Sequence, residues 1–345
     1  MKNKFNCHSS IPFEVVVLEN EPYVFLVCST EGSVRQYDIR EKTSCNCSNC
    51  DRDVIIHLPF PIQSMDIPQT RSYECALAVN NGCVHFYDRR KVFCSAKSHD
   101  YGNNAIMFQY DARKSHPGIL TSGFTSLKYS KDGSELLCNY VGERVVVISC
   151  DFSEKMGSSH ILVSRPECFS RTCYFDASNS SVKKEISKGN RIKKSVEDET
   201  NGTKPHPIKH KLEYFNSQSS LSGSDLLRSR TYNNSKLISF IPRHSSSYTG
   251  HSNVKTMLKE AIFWGKRYVM AGSDCGHVFI WDRMTEKICQ ILVGDKYIVN
   301  SLDHHPLYPV LACSGIDSTI KIFSATSYNP SSEEEINQVK LLILL

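Results

Sequence analysis

The stretch GHSNVKTMLKEAIFWGKRYVMAGSDCGHVFIWDR, residues 250–283, decides the fold of this chain. It contains an apolar run that begins at Tyr268, a short polar turn, and a second, mostly apolar run that begins at His277. Short apolar runs bounded by turn residues are typical of buried β-strands. The stretch therefore predicts two neighbouring strands joined by a tight turn.

The same pattern occurs five times, which indicates a repeat architecture. The copies are YVFLVCSTEGSVRQYD from Tyr23, ECALAVNNGCVHFYD from Glu74, ELLCNYVGERVVVIS from Glu135, YVMAGSDCGHVFIWD from Tyr268 and VLACSGIDSTIKIFS from Val310. A strand candidate precedes each copy, and later strand candidates follow in DVIIHLPF from Asp53 and KICQILV from Lys287. About four strands per unit, at a period near the roughly 40–45 residues of WD repeats, predict an all-β WD-repeat β-propeller with about five recognisable blades.

The repeats divide the chain into four parts. We expect propeller blades in residues 1–150 and 250–325, and a tail in residues 326–345. Ser, Asn and Lys dominate residues 151–249, and this composition cannot bury an apolar core. We therefore expect a long disordered insertion that leaves the propeller at the outer edge of the third blade.

Composition narrows the class of protein. Hydrophobic residues make up 40% of the chain, and its net charge of +5 is too modest to predict bulk nucleic-acid binding. No stretch approaches the roughly 20 apolar residues that span a bilayer, and the first residues lack the apolar core of a signal peptide. We therefore expect an intracellular protein with no membrane partner. Several cysteines, such as Cys28, Cys75, Cys138 and Cys313, lie in apolar runs, and we interpret them as reduced, buried side chains.

Residues 250–283, followed by VNSLDHHPLYPVLACSGIDSTIKIFS from Val299, resemble one protein family, the cullin-four-associated WD-repeat factors. The GSDCGH run and the later HP and SGID elements carry this resemblance. The stretches EGSVRQYDIREKTSC from Glu31 and VHFYDRR from Val84 are most similar to the IQ- and WD-repeat members of the family. Their propellers have about seven blades, so the resemblance implies an N-terminally incomplete propeller.

The resemblance also implies a docking site for an adapter, damage-specific DNA-binding protein one. In this family an aromatic-Asp-any-Arg box ends the third strand of a blade, often in two successive blades. Two stretches fit the box, Tyr37-Asp38-Ile39-Arg40 and Tyr87-Asp88-Arg89-Arg90. The resemblance assigns Arg40 and Arg90 to docking, and a guanidinium suits that role because its rigid fork of donors can pair with carboxylates or carbonyls.

The alternative interpretation of these boxes is structural. Each aspartate would then cap the following turn, and each arginine would pair internally. Two boxes in tandem favour docking. A third stretch, Trp281-Asp282-Arg283-Met284, has methionine where the box needs arginine, so no docking role is assigned to it.

In typical WD repeats a hydrogen-bonded set of His, Ser or Thr, Asp and Trp ties each blade, and here the set is incomplete. Glu31, Asn81 and Cys275 occupy turn positions where aspartate is usual. The blades must therefore be held mainly by apolar packing and by strand pairing. We interpret four remaining polar or aromatic residues as structural, namely His251, Trp281, Asp282 and Asp317.

Other chemistry receives little support from the sequence. Cys45, Cys47 and Cys50 lie close together near His57, but structural zinc sites usually need two spaced pairs of ligands, and a second close pair is not evident nearby. Incidental cysteines are therefore favoured, and no metal is expected. Phosphate-binding, HExxH and GxSxG motifs do not occur, so we expect neither a cofactor nor enzymatic activity.

Two further signals are weak. The C-terminal run Leu341–Leu345 fits the LxxLL box that binds nuclear receptors, but without helical context a remnant strand is favoured. A basic cluster in the insertion suggests a nuclear-import signal or, preferably, a solvated charged linker. Its members are Lys183, Lys184, Arg191, Lys193 and Lys194.

The sequence thus predicts a substrate receptor of a cullin-four RING ubiquitin ligase. The expected partners are the adapter, cullin-four and an unidentified protein target, with nuclear receptors as further candidates and nucleic acid disfavoured. The expected location is the nucleus and the cytoplasm. Two alternatives remain open: a generic WD-repeat scaffold or transcriptional coregulator without ligase contact, and a chromatin or nucleic-acid binder that uses the basic insertion.

Overall fold

In the computed structural model the chain forms an all-β propeller of five blades. The structure describes residues 4–46, 51–95, 105–116, 119, 123–152, 162–163, 238–325 and 332–334. Each of the five sequence repeats forms the second and third strands of a blade, so the predicted fold class is confirmed.

Blade 1 is built from the first repeat and its flanks. Its strands are β1 (Lys4–Phe5), β2 (Pro12–Leu18), β3 (Glu21–Ser29), β4 (Ser33–Asp38), β5 (Ser44–Cys45) and β6 (Val54–His57). Strands β2-β3-β4-β6 form an antiparallel sheet in that order, and β1 pairs with β5 in a short parallel ladder.

Blade 2 has strands β7 (Ile62–Asp66), β8 (Glu74–Val79), β9 (Cys83–Asp88) and β10 (Ile106–Asp111). Helix α1 (Arg89–Ser95) follows β9, and the short helix α2 (Ala112–Ser115) follows β10. The strands of blade 3 before the insertion are β11 (Phe124–Tyr129), β12 (Glu135–Tyr140) and β13 (Gly142–Ser149).

Three strands that lie wholly or partly in the predicted insertion pair with these blades. They are β14 (Leu162–Val163), β15 (Ile238–Ser239) and β16 (Ser245–Asn253). Strands β15 and β14 extend blade 2 beyond β10, and β16 is the fourth strand of blade 3. Strand β16 begins at Ser245, whereas the predicted insertion extends to residue 249. The first half of the strand, SSSYT, was assigned to the insertion because it has the same serine-rich composition.

The last two blades follow without interruption. Their strands are β17 (Ala261–Trp264), β18 (Tyr268–Gly272), β19 (His277–Asp282), β20 (Ile288–Val293), β21 (Val299–His304), β22 (Val310–Gly315) and β23 (Ile320–Ser324). Blade 4 contains β17 to β20, and blade 5 contains β21 to β23 in the described residues. The strand candidates at Asp53 and Lys287 correspond to β6 and β20, as expected.

Apolar side chains pack between successive blades, as the stacking of repeats requires. Four clusters bridge the blade pairs 1–2, 2–3, 3–4 and 4–5, with members such as Leu26 and Met65, Phe86 and Leu127, Leu137 and Phe279, and Met270 and Leu311. The cysteines predicted to be buried take part. Cys28, Cys75 and Cys138 are fully buried, and burial raises the pKa of each thiol, that of Cys75 to about 12.

Polar bonds between first strands complement this packing. Glu14 of β2 accepts hydrogen bonds from the Ser64 hydroxyl at 2.5 Å and from the Met65 amide at 2.9 Å in β7. Ser64 in turn accepts from the Leu127 amide of β11 at 2.8 Å. Similar bonds join later blades, from the Ala261 amide to Ser126 and from the Leu302 amide to Glu260.

The direction of the strands fixes two faces of the propeller. Third strands β4, β9 and β19 all end at one face, which we call the box rim because both predicted boxes lie there. The turns between second and third strands lie at the opposite face. In those turns Gly32 and Gly276 have φ angles of +81° and +79°, a conformation that glycine adopts without strain.

Candidate functional site

The first box combines a buried tyrosine with an exposed arginine. Tyr37 is 2% exposed and packs against Phe5 and Phe25, with ring centroids 4.7 and 5.1 Å away. Asp38 accepts from the Arg40 amide and Nε, both at 2.9 Å, and from Nη2 at 2.6 Å. The Arg40 side chain is nevertheless 62% exposed. The tyrosine therefore anchors the strand end while the aspartate orients the arginine toward solvent.

Hydrogen bonds from Arg40 lower the pKa of the Asp38 carboxyl to about 2. The guanidinium also lies 5.2 Å from the ring centroid of Tyr23, the residue that precedes the partner of Asp38 in the β3–β4 ladder. The bonds to Asp38 use Nε and Nη2, and no hydrogen bond within the described part of the chain uses Nη1 of Arg40. That end of the fork can therefore donate to a partner.

The second box repeats this geometry. Asp88 accepts from the Arg90 amide at 3.1 Å, and from Nε and Nη2 at 2.9 Å each. Arg90 is 65% exposed and lies 3.9 Å from the centroid of the Tyr73 ring, within the range of a cation–π contact. Its hydrogen bonds lower the pKa of Asp88. Tyr87 is 1% exposed. Both interpretations of the boxes therefore describe part of the geometry, since each aspartate caps a turn and each arginine pairs with it while remaining exposed.

A groove of about 740 Å³ lies between the two boxes at the junction of blades 1 and 2. Arg40 and Arg90 both line it. Further cationic lining residues are Lys42, Arg52 and Arg89, and the carboxylates are Glu21, Asp38, Glu41 and Asp53. A partner that inserts carbonyls or carboxylates between the boxes would meet both exposed guanidiniums.

Arg89, the middle residue of the second box, has a different role. It is 5% exposed and donates from Nη2 to the Gln36 side chain of blade 1 at 2.8 Å, as well as to the Ser72 carbonyl. Its Nη1 atom lies 3.6 Å from a Glu21 carboxylate oxygen. Arg89 therefore ties blade 2 to blade 1, while Arg90 remains exposed.

The sequence reasoning missed a further box, Tyr110-Asp111-Ala112-Arg113, at the end of β10. Asp111 accepts from the Arg113 amide, Nε and Nη2 at 3.0, 2.8 and 2.9 Å, the same pattern as in the two predicted boxes. Since β10 is antiparallel to β9 and Asp111 pairs with Cys83, this box lies at the face opposite to the box rim. Arg113 also donates to the Asn81 carbonyl at 3.0 Å, so its guanidinium is held on the β8–β9 turn.

The box-like run in blade 4, residues 281–284, lies at the box rim and has Met284 at the fourth position, where the other boxes have arginine. Asp282 accepts from the amides of Met284 at 2.9 Å and Thr285 at 3.2 Å, and Met284 is 87% exposed. The guanidinium that pairs with Asp282 comes instead from Arg267, whose Nε lies 2.8 Å from it. This arrangement was not predicted, because Arg267 lies 15 residues before Asp282 in the chain.

Two residues of the structural WD set, His251 of β16 in blade 3 and Trp281 of β19 in blade 4, pack against each other between these blades. Trp281 is fully buried and donates to the Thr249 carbonyl at 2.9 Å, and its ring lies 5.4 Å from that of His251. Burial lowers the pKa of His251 to about 3, and neither ring nitrogen has a hydrogen-bond partner among the described residues. His251 is thus held by ring packing.

Carboxylates tie the turns of blades 4 and 5. Asp317 accepts from the amide and the hydroxyl of Thr319 at 2.8 and 2.6 Å and pairs with Lys321, and these bonds lower its pKa. In blade 4 the carboxylate next to Cys275 takes this role. Asp274 accepts from the Val254 amide at 2.6 Å and forms a buried ion pair with Lys259.

Cys45 is buried in β5, whereas Cys47 and Cys50 lie outside the described residues. Among the residues that the structure describes, no group of three His, Cys, Asp or Glu side chains is arranged to hold a metal ion. The described helices include none with the length and apolar character needed to cross a membrane. The C-terminal leucines and the basic cluster of the insertion also lie outside the described residues.

Comparison with known proteins agrees with this architecture. The model of the family "WD domain, G-beta repeat" matches residues 286–324, which span β20 and the strands of blade 5. The chain is 52% identical over 94 residues to DDB1- and CUL4-associated factor 6 of Homo sapiens, a match that covers 27% of this chain and 10% of that protein.

Two other relatives give similar values. Protein ALTERED SEED GERMINATION 2 of Arabidopsis thaliana is 48% identical over 86 residues, covering 24% of this chain and 11% of that protein. WD repeat protein iqw1 of Schizosaccharomyces pombe is 48% identical over 90 residues, covering 26% and 11%. The matched stretches thus span about a tenth of the length of these relatives. The chain carries WD repeats, and its predicted resemblance to the cullin-four-associated factors is confirmed.

Proposed function

We propose that this chain is a non-catalytic substrate receptor of a cullin-four RING ubiquitin ligase and that it docks onto the adapter DDB1, damage-specific DNA-binding protein one, through the box rim. In this proposal Arg40 and Arg90 make the contact, and other subunits carry out ubiquitin transfer. The observation that carries the proposal is the pair of exposed guanidiniums that border one groove. The similarity to a relative named for its association with DDB1 and CUL4 supports the choice of adapter.

Pre-organisation makes these arginines suitable for docking. Each guanidinium is already held by an aspartate and an aromatic ring, so little side-chain entropy remains to be lost on binding. Arginine is also enriched among residues that dominate binding energy at interfaces. Lysine would place a single ammonium without a planar fork, so Arg90→Lys should bind more weakly than the unaltered chain.

The test is an affinity measurement with immobilised DDB1 and purified chain. We expect the double variant Arg40→Ala, Arg90→Ala to bind at least about tenfold more weakly, as for an interface hot spot. Arg113→Ala is the matched control, because it removes an arginine with the same local geometry from the opposite face. Thermal melting of each variant checks that it folds.

Two results would contradict the proposal. If the unaltered chain does not bind DDB1, the ligase assignment fails and a scaffold without ligase contact is favoured. If the double variant keeps full affinity, docking uses another surface. Proximity labelling in cells would identify the target, test nuclear receptors as partners, and show whether the protein occupies the nucleus and the cytoplasm, as we propose.

A further inference from the structure

Strand register identifies equivalent positions at the box rim in three blades. The aspartates Asp38, Asp88 and Asp282 pair with Val24, Glu74 and Tyr268 of the neighbouring second strand. The residue before each of these partners is Tyr23, Tyr73 and Arg267, respectively. Its carbonyl accepts in every case from the amide that follows the aspartate, at 3.0, 2.7 and 2.8 Å. Arg267 therefore occupies the position that holds the stacking tyrosine in blades 1 and 2.

Arg267 and its surroundings nevertheless resemble the two boxes. Its Nε donates to Asp282 Oδ2 at 2.8 Å, and its guanidinium lies 5.4 Å from the centroid of the Tyr268 ring. The side chain is 69% exposed, close to the values for Arg40 and Arg90. Blade 4 thus has an aspartate, an exposed arginine and an aromatic ring at the box rim, with the arginine supplied by the second strand.

We propose that Arg267 is a third docking arginine, which contacts the same carbonyl- and carboxylate-bearing adapter surface as the two boxes. This inference rests on the proposed function and extends the docking surface from blades 1 and 2 to blade 4. Met284, in the position of the box arginine, is 87% exposed. In blade 3 the equivalent of the aspartate is Ser149, which pairs with Glu135, so the rim carries no box there.

The structural role of joining blade 4 to its neighbour is filled by another arginine, Arg283, which follows Asp282 in the chain. Arg283 donates from Nη2 to the Glu135 carboxylate of blade 3 at 2.5 and 2.6 Å. It also donates from Nη1 to the Lys266 carbonyl at 3.1 Å. This contact between blades parallels that of Arg89 with Gln36. Blades 2 and 4 therefore each contain two arginines with different roles. One ties neighbouring blades, and the other is exposed at the rim.

The test uses DDB1 affinity with the full chain. We expect Arg267→Ala to weaken binding about fivefold or more without lowering the melting temperature. The rebuilding variant Arg267→Tyr, Met284→Arg places tyrosine and arginine as in blades 1 and 2, and it should restore affinity to within about twofold of the unaltered chain. Arg113→Ala again serves as the control.

The outcomes separate this inference from the proposed function. If Arg40→Ala weakens binding while Arg267→Ala does not, the third arginine is wrong and the docking rim stands. A loss in Arg267→Ala that the rebuilding variant fails to restore would overturn the equivalence of the three positions. Absence of binding by the unaltered chain would overturn the proposed function itself.

Discussion

Blade 2 carries two boxes of the same sequence type, at Tyr87–Arg90 and Tyr110–Arg113, and they differ in what their arginines can do. Both aspartates hold their arginine through the amide, Nε and Nη2. Arg90 is 65% exposed at the box rim, whereas Arg113 is 36% exposed and bonds the carbonyl of a turn at the opposite face. The box therefore specifies a local geometry, and the direction of its strand decides which face receives the arginine.

The largest expected effect comes from the turn on which Arg113 lies. Gly82 has a φ angle of +85°, and a Cβ there would lie 2.7 Å from Arg113 Cζ. We expect Gly82→Ala to lower the free energy of unfolding by about 2 kcal/mol, because an L-residue is strained in this conformation. Urea titration measures the change.

A double-mutant cycle isolates the contact with Arg113. Since the guanidinium is the group that the new Cβ meets, Gly82→Ala should cost less in an Arg113→Ala background. DDB1 affinity should be unchanged in both variants. Strictly additive costs would show that Arg113 does not pack on this turn.

Lowering the pH should change the stability of the chain without changing its affinity for DDB1. Burial lowers the pKa of His85 to about 4, and that of His251 in β16 of blade 3 to about 3. The unfolded chain takes up protons on these rings below about pH 6.5, so the free energy of unfolding should fall as pH falls. Burial raises the pKa of Glu14 to about 7, which acts in the opposite direction and offsets one histidine.

His85→Gln should therefore reduce the fall in the free energy of unfolding by about 1.4 kcal/mol per pH unit between pH 6.5 and 5, measured by urea titration against the unaltered chain. DDB1 affinity should stay constant over the same range, because the pKa of Asp38 is about 2 and its pair with Arg40 stays ionised. The same pH dependence in His85→Gln and the unaltered chain would contradict the burial of His85.

The two arginines of blade 2 should differ in their effect on stability. Arg113→Ala removes a bond to the Asn81 carbonyl and should lower the free energy of unfolding by about 1 kcal/mol, a value reduced by solvent screening. Arg90→Ala should leave the melting temperature unchanged, because that side chain is mostly exposed. Equal destabilisation by the two substitutions would erase the distinction between the faces.

The smallest expected effect concerns positioning of the arginine. Asp88→Asn keeps a side-chain acceptor but removes the charge that holds Arg90, so DDB1 affinity should fall about threefold. Asp111→Asn is the matched control at the opposite face and should leave the affinity unchanged. Equal losses in both variants would indicate a general effect on folding.

The repeated apolar runs were sufficient for the architecture, because the second and third strands of a blade lie between neighbouring blades and are buried on both faces. This signal is absent from β16, whose serine-rich first half resembles the insertion. The box pattern located Arg40 and Arg90, whereas the same pattern at Tyr110 ends a fourth strand, where the resemblance implies no box. Arg267 was beyond this reasoning, because its pairing with Asp282 depends on the register between β18 and β19.

Amide hydrogen exchange of the chain, alone and bound to DDB1, tests the central claim most directly. Docking through the box rim predicts slower exchange on binding in the segments that follow β4 and β9, at residues 39–42 and 89–91, with no change at residues 112–115. Protection of residues 112–115 with none at the two rim turns would contradict docking through the box rim.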